Sequence, residues 1–203
     1  MPAISRPDTF ESAKLIVLDV NSRALHDLFG LLASAAAQQY GDEPVTQLEH
    51  ALQCAALARE AAASDTLVIA ALFHDIGHLL QADFGKPDYR RRDFRHERAG
   101  AEHLSLCFGE AVTGPVRLHV AAKRCLCAVE PGYWTGLSEG SQHSLALQGG
   151  PLAPEQARRF QARPYAGAAI ALRRWDDAAK VAGATAPALA SFYETAASIA
   201  KQP

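Results

Sequence analysis

The chain has 203 residues, 49% hydrophobic and 21% charged, which suits a globular protein with a sizeable core. A formal net charge of -2, with both signs interspersed, excludes an obvious nucleic-acid groove or membrane-binding face. Four cysteines fit neither a disulfide framework nor a zinc knuckle, and neither a leader-like N-terminus nor a run of about 18 apolar residues occurs, so a soluble cytoplasmic chain with reduced thiols is expected.

Residues 1–12 are polar, and 13–20 (AKLIVLDV) fit either a short strand or the start of a helix. From 22 to about 40, Leu25, Leu28, Phe29, Leu31 and Leu32 recur at helical spacing. Gly41, Asp42, Glu43 and Pro44 break that helix, and Pro44 suits the first turn of the next. Residues 45–63 then read as a long helix. Leu48, Ala51, Leu52, Ala55 and Ala58 form one stripe, and His50, Cys54, Leu57 and Ala61 the neighbouring one. Ser64 or Asp65 caps the element that follows.

Residues 66–80, TLVIAALFHDIGHLL, are apolar almost throughout and long enough for about four helical turns. Near their end stand His74, Asp75 and His78. A buried carboxylate beside buried imidazoles is costly unless each finds a partner. Two readings meet that requirement: a core helix with hydrogen-bonded histidines, or a metal site in which one cation compensates them all.

Residues 81–95 form a polar connection long enough to cover a site, and Arg90, Arg91 and Arg92 within it read as a solvated stretch. Further helices are expected at about 96–107, 114–129, 138–147, 154–163, 167–181 and 186–201, with a turn at Gly149, Gly150 and Pro151. No alternating strand pattern, repeat or linker competes. The expectation is one all-α domain over residues 1–203, with its core at about 22–181.

Six residues on these helices are able to converge: His50, His74, Asp75, His96, His119 and Asp176. Each alone has an ordinary explanation, but the order H…HD…H…H…D is far more specific than any member. Lys123, four residues after His119, lies on that ligand's helix face. It is either a solvated lysine or a cation placed to neutralise an anionic substrate. Arg173, three residues before Asp176, either pairs with Asp176 or Asp177 or offers its fork to the same anion. His78, one turn past His74, is within reach of that anion too.

The pattern His50…His74-Asp75…Asp176 resembles the HD-domain superfamily, an all-α helical bundle with metal-dependent activity. His96 and His119 resemble its dinuclear branch. YGDEPVTQLEHALQCA, LFHDIGH, HVAAKR, QGGP and the run Arg173–Asp176 are similar to the HD-domain oxygenases of phosphonate breakdown, over about residues 40–180. The resemblance implies two iron ions, as an Fe(II)/Fe(III) pair, with His50, His74, Asp75 and Asp176 on one metal. His96, His119 and a bridging Asp75 would hold the other, with the metals roughly 3.5–4 Å apart.

The resemblance further implies O2-dependent C–P cleavage of a 1-hydroxy-2-ammonioethylphosphonate with release of phosphate. The free amine gives glycine and the N-trimethylated compound gives glycine betaine. Lys123, Arg173, His78 and Ser141 would hold the phosphonate. Tyr40 would fill an open iron position until substrate arrives, with Glu43 moving alongside; the plain alternative is a loop tyrosine packed on the helix. The expected partners are thus a small phosphonate and O2, with no nucleic acid and no membrane.

The main rival is an HD-domain phosphohydrolase of a phosphomonoester or nucleotide, because the same ligands hold redox-inert ions. A silent ligand-sensing module and an inositol-type ring-cleaving oxygenase are further alternatives. A quaternary ammonium favours an aromatic cage, for which Phe94, Tyr133, Trp134 and Tyr165 are available. These motifs specify neither the amine's methylation nor the oligomeric state.

Overall fold

The computed structural model describes residues 9–81 and 92–201, with side chains from residue 22 onward. Most of the polar connection expected to cover the site, residues 82–91 with Arg90 and Arg91, lies outside the described residues. The described elements are helical, apart from an isolated antiparallel bridge between Gln39 and Thr46. The segment 13–20, open to either reading from sequence, lies within helix α1 (Thr9–Ser34). Leu25, Leu28, Phe29 and Leu32 of α1 are buried, as their spacing predicts.

Helix α2 (Gln47–Glu60) begins three residues later than Pro44, so that proline lies in the preceding turn rather than the first turn of the helix. Thr46 provides the start instead: its hydroxyl accepts from the Glu49 amide while the Glu49 carboxylate accepts from the Thr46 amide. Ser64 likewise caps α3 (Asp65–Phe73), accepting from the Leu67 amide. Val68, Ile69, Leu72 and Phe73 of α3 are wholly buried, each contributing about 1.5–3 kcal/mol of hydrophobic stabilisation.

The four-turn helix expected over 66–80 is interrupted. Helix α3 ends at Phe73, Asp75 takes φ -100° and ψ 7°, and a short α4 (Ile76–Leu79) follows. On a straight helix, neighbouring side chains diverge by about 100°. The break brings His74 and Asp75 toward one place.

Helices α5 (His96–Leu104) and α6 (Glu110–Val129) pack on α3 and α4. A short α7 (Tyr133–Gly136), not foreseen from the sequence, leads to α8 (Glu139–Leu147), α9 (Pro154–Gln161) and α10 (Ala166–Ala178). The last expected helix is split into a 3-10 turn (Leu189–Phe192) and α11 (Tyr193–Ile199). One buried cluster runs through α1, α2, α3 and the C-terminal segment; a smaller one joins α6, α9 and α10 through Leu118, Cys125, Phe160 and Ala169. Among the described residues no helix is long and apolar enough to cross a membrane.

Candidate metal centre

Four helices and one helix break converge where these layers meet. His50 comes from α2, His74 and Asp75 from the break after α3, His96 from the first turn of α5, His119 from α6 and Asp176 from α10. All six are buried. Two triads able to hold a metal ion result, His50–His74–Asp75 and Asp75–His96–His119, with Asp75 common to both. Its two oxygens are divided between them. Oδ2 lies 3.4 Å from Nε2 of His74 and 3.9 Å from that of His50. Oδ1 lies 3.2 Å from Nε2 of His96 and 3.5 Å from that of His119. Asp176 closes the first group, 3.5 Å from His50 and 3.7 Å from His74.

The chemistry of this donor set fits a metal centre. Nδ1 of His50 donates to the Ala179 carbonyl at 2.7 Å, that of His74 to Ala71 at 2.9 Å and that of His119 to Val116 at 2.8 Å. Those bonds turn Nε2 of the three rings inward. Yet Nε2 of His50 and His74 stand 3.3 Å apart, and those of His96 and His119 3.1 Å apart. Two such nitrogens repel unless a proton or a metal cation lies between them. Asp75 Oδ1 and Asp176 Oδ1 also accept no hydrogen bond from the described residues although buried.

The titration directions differ from ring to ring. Burial lowers His50 to about 4, so it is a neutral, ligating imidazole at neutral pH. Burial and then His96 lower His119 well below the ordinary range. Burial also pushes His74 down, but Asp75 and Cys54 outweigh it, so positive charge is drawn to this spot. His and carboxylate donors suit iron, manganese or cobalt.

A cleft of about 740 Å3 opens onto the centre, within the usual range for a small-molecule site. Its wall carries the cations expected from sequence. Lys123 is 2% exposed, which removes the solvated-lysine reading, and its ammonium donates to Ser144 at 2.7 Å. Burial, then repulsion from Arg173, lowers it to about 7. Arg173 is also buried and pairs with both carboxylates offered as alternatives: Asp176 at 2.6 Å, and Asp177. Its Nη2 reaches Ser141 at 3.3 Å, and its buried Nε has no partner among the described residues. His78 stacks on His96, with ring centroids 3.9 Å apart, and burial lowers it to about 3. It is therefore a neutral group in this wall.

Tyr40 and Glu43 lie on the turn between α1 and α2. The turn is closed by the Gln47 amide donating to Gln38 and the Tyr40 amide to Val45. Tyr40 stacks on His50 and donates its hydroxyl to Asp75 Oδ2 at 2.7 Å, so it touches the shared carboxylate itself. Burial and the Asp75 charge raise its pKa well above the ordinary value, keeping the phenol protonated. Glu43 accepts from Ser138 and pairs with Lys180 at 3.1 Å.

Sequence reasoning missed Ser138, Ser144 and Lys180. Lys180 follows Asp176 by four residues and Arg173 by seven, a helical-face spacing that pointed to the same wall. Ser138 and Ser144 carried no comparable signal. Of the four aromatic residues considered for a cage, Phe94 alone lines the cleft. Tyr133 donates to Asp177, Trp134 is exposed, and the Tyr165 ring packs on Gly114.

Comparison with known proteins bears on this geometry directly. The HD domain family model matches residues 48–120. The chain is 46% identical to the hydroxymethylphosphonate dioxygenase of Gimesia maris over 157 residues, covering 77% of this chain and 78% of that protein. It is 42% identical to the glycine-betaine-forming [1-hydroxy-2-(trimethylamino)ethyl]phosphonate dioxygenase of Leisingera caerulea over 159 residues, 78% of this chain and 81% of that one.

Proposed function

The chain belongs to the HD-domain phosphonate dioxygenases, and from that membership we propose that it uses O2 to cleave the C–P bond of a 1-hydroxyalkylphosphonate. The carbon leaves as a carboxylate and the phosphorus as phosphate, each gaining one oxygen atom. The substrate supplies every electron that O2 takes up, so no external reductant is needed. The substrate range includes the 1-hydroxy-2-ammonioethylphosphonates, free or N-trimethylated, and hydroxymethylphosphonate, the substrate in the name of the 46% identical relative.

The proposed cofactor is an Fe(II)/Fe(III) pair, with His50, His74, Asp75 and Asp176 holding one ion and Asp75, His96 and His119 the other. Such a pair supplies the redox chemistry with O2. The observation that carries the reading is the division of the Asp75 oxygens between two histidine pairs, beside buried Lys123 and Arg173.

The protein's own groups then have definite tasks. Lys123 and Arg173 neutralise the phosphonate, and Ser141 and His78 hydrogen-bond it. Tyr40, bonded to Asp75, obstructs the approach until substrate displaces it, and burial keeps its proton in place meanwhile.

Iron-reconstituted protein given a hydroxyalkylphosphonate is expected to release phosphate only in the presence of O2, one O2 consumed per phosphate. Phosphate release that continues unchanged under anaerobic conditions would instead identify a phosphohydrolase.

A further inference from the structure

Among the described residues, Lys180 is a pocket cation that touches both the turn between α1 and α2, through Glu43, and the proposed phosphonate wall, through Ser141, and its placement is fixed from both sides. His50 Nδ1 holds the carbonyl of Ala179 at 2.7 Å. The Gln53 amide holds Val181 at both ends, donating to its carbonyl at 3.0 Å and accepting from its N–H at 3.1 Å. The residue between these anchors has its side chain only 10% exposed and directed at the cleft. Its ammonium reaches Glu43 at 3.1 Å, Ser138 at 3.0 Å and Ser141 at 2.8 Å. Ser141 in turn accepts from Arg173. The Glu43 carboxylate therefore stands one side chain away from the anion cradle and already carries a fixed counter-ion. Gly140 permits this approach: a Cβ there would stand 3.2 Å from Glu43 Oε1.

We propose that Lys180 is a specificity-determining residue, which neutralises Glu43 and so disfavours phosphonates bearing an ammonium next to the reacting carbon relative to uncharged hydroxyalkylphosphonates. The inference rests on the phosphonate-binding reading above and narrows its substrate class. Ser141 contacts Arg173 and Lys180 alike, so an ammonium on the carbon beyond C1 of a phosphonate held at Arg173 and Ser141 would come within range of the Lys180–Glu43 pair. A carboxylate without a counter-ion would attract it. The Lys180–Glu43 pair offers no net charge, and Lys180 itself repels it. A small neutral substituent meets no such penalty. Among the described residues, Tyr133, Trp134 and Tyr165 do not line the cleft, so they form no aromatic cage for a cation there.

The test separates binding from turnover. Calorimetry on metal-loaded protein compares ethylphosphonate with 2-aminoethylphosphonate, which differ by the ammonium and lack the C1 hydroxyl. The wild-type protein is expected to bind ethylphosphonate more tightly. In K180M the ratio of the two dissociation constants should move by about tenfold or more toward the amine, and K180R should restore it. The double variant E43Q/K180M should lose the gain, since the exposed carboxylate is its source. In parallel, the kcat/KM ratio for 1-hydroxy-2-ammonioethylphosphonate over hydroxymethylphosphonate should rise in K180M. Equal weakening of both ligands, or a ratio unmoved in K180M, overturns the proposal, because a merely structural lysine would do just that. Failure of the wild-type protein to release phosphate from either hydroxylated compound removes the oxygenase reading, while the calorimetric ratio still decides the role of Lys180.

Discussion

Lys123 shows how much a single residue's surroundings add to its identity. A lysine four residues past a histidine is compatible with open solvent, but here the side chain is buried beside Arg173 with Ser144 as its hydrogen-bond partner. Burial and the neighbouring guanidinium lower it to about 7, and the carboxylates of Asp176, Asp177 and Asp75 only partly offset them. The sign of the pH effect follows. Below that value the ammonium is charged and attracts an anion; as pH rises through it, the proton and the attraction are lost. Methanesulfonate keeps one charge throughout and so reports the protein side alone. Its affinity is expected to fall about tenfold per pH unit above about 7, with protons taken up on binding there. K123R, which stays charged, should bind it with no such fall. Calorimetry in buffers of different ionisation enthalpy measures both effects.

At the scale of elements, the candidate ligand set was legible in the sequence and the backbone that brings it together was not. His50, His74, Asp75, His96, His119 and Asp176 were recognisable because ligand chemistry needs particular side chains in a particular order. The break after Phe73 was hidden, because TLVIAALFHDIGHLL carries an unbroken apolar helical pattern and its one glycine reads as a mild flaw. Lys180 was passed over because its role depends on the clamp from His50 and Gln53, contacts more than 120 residues apart in the chain. The glycine is a requirement of packing. A Cβ on Gly77 would stand 1.9 Å from the His96 carbonyl oxygen and 2.8 Å from the Gly100 amide, all rigid backbone. G77A must therefore push α5 away, taking His96 from Asp75. A loss of about 3 kcal/mol or more is expected, a fall in Tm of roughly 6–12 °C for a chain of this size. Metal content should fall with it. Gly30 on α1 has nothing within 4 Å of its Cβ position, so G30A is the control. It should leave metal content unchanged and stabilise the helix by about 0.5–1 kcal/mol.

For the molecule as a whole, the centre acts as a cross-link whose strength depends on what fills it. The six candidate ligands come from α2, the break between α3 and α4, α5, α6 and α10, so positions 50 to 176 of the chain meet at one point. Around that point the structure sets imidazole nitrogens 3.1–3.3 Å apart and leaves Asp75 Oδ1 and Asp176 Oδ1 without hydrogen bonds from the described residues. Such an arrangement is unfavourable by itself, and the apolar packing of α3 and α6 maintains it. A cation that binds the folded chain and not the unfolded one converts that cost into stability, by about 4 kcal/mol when free metal exceeds Kd a thousandfold. At roughly 2–4 °C per kcal/mol, anaerobic Fe(II) should raise Tm by about 8–16 °C, and a chelator should reverse the rise. The shared carboxylate gives this prediction its sharper form. D75A removes a donor from both triads at once, so its Tm should respond little to iron, whereas H119A spares the His50–His74–Asp75–Asp176 group and should keep about half the response. Scanning calorimetry of the three proteins with and without Fe(II) distinguishes this from independent sites, in which the loss of Asp75 would weigh no more than the loss of His119.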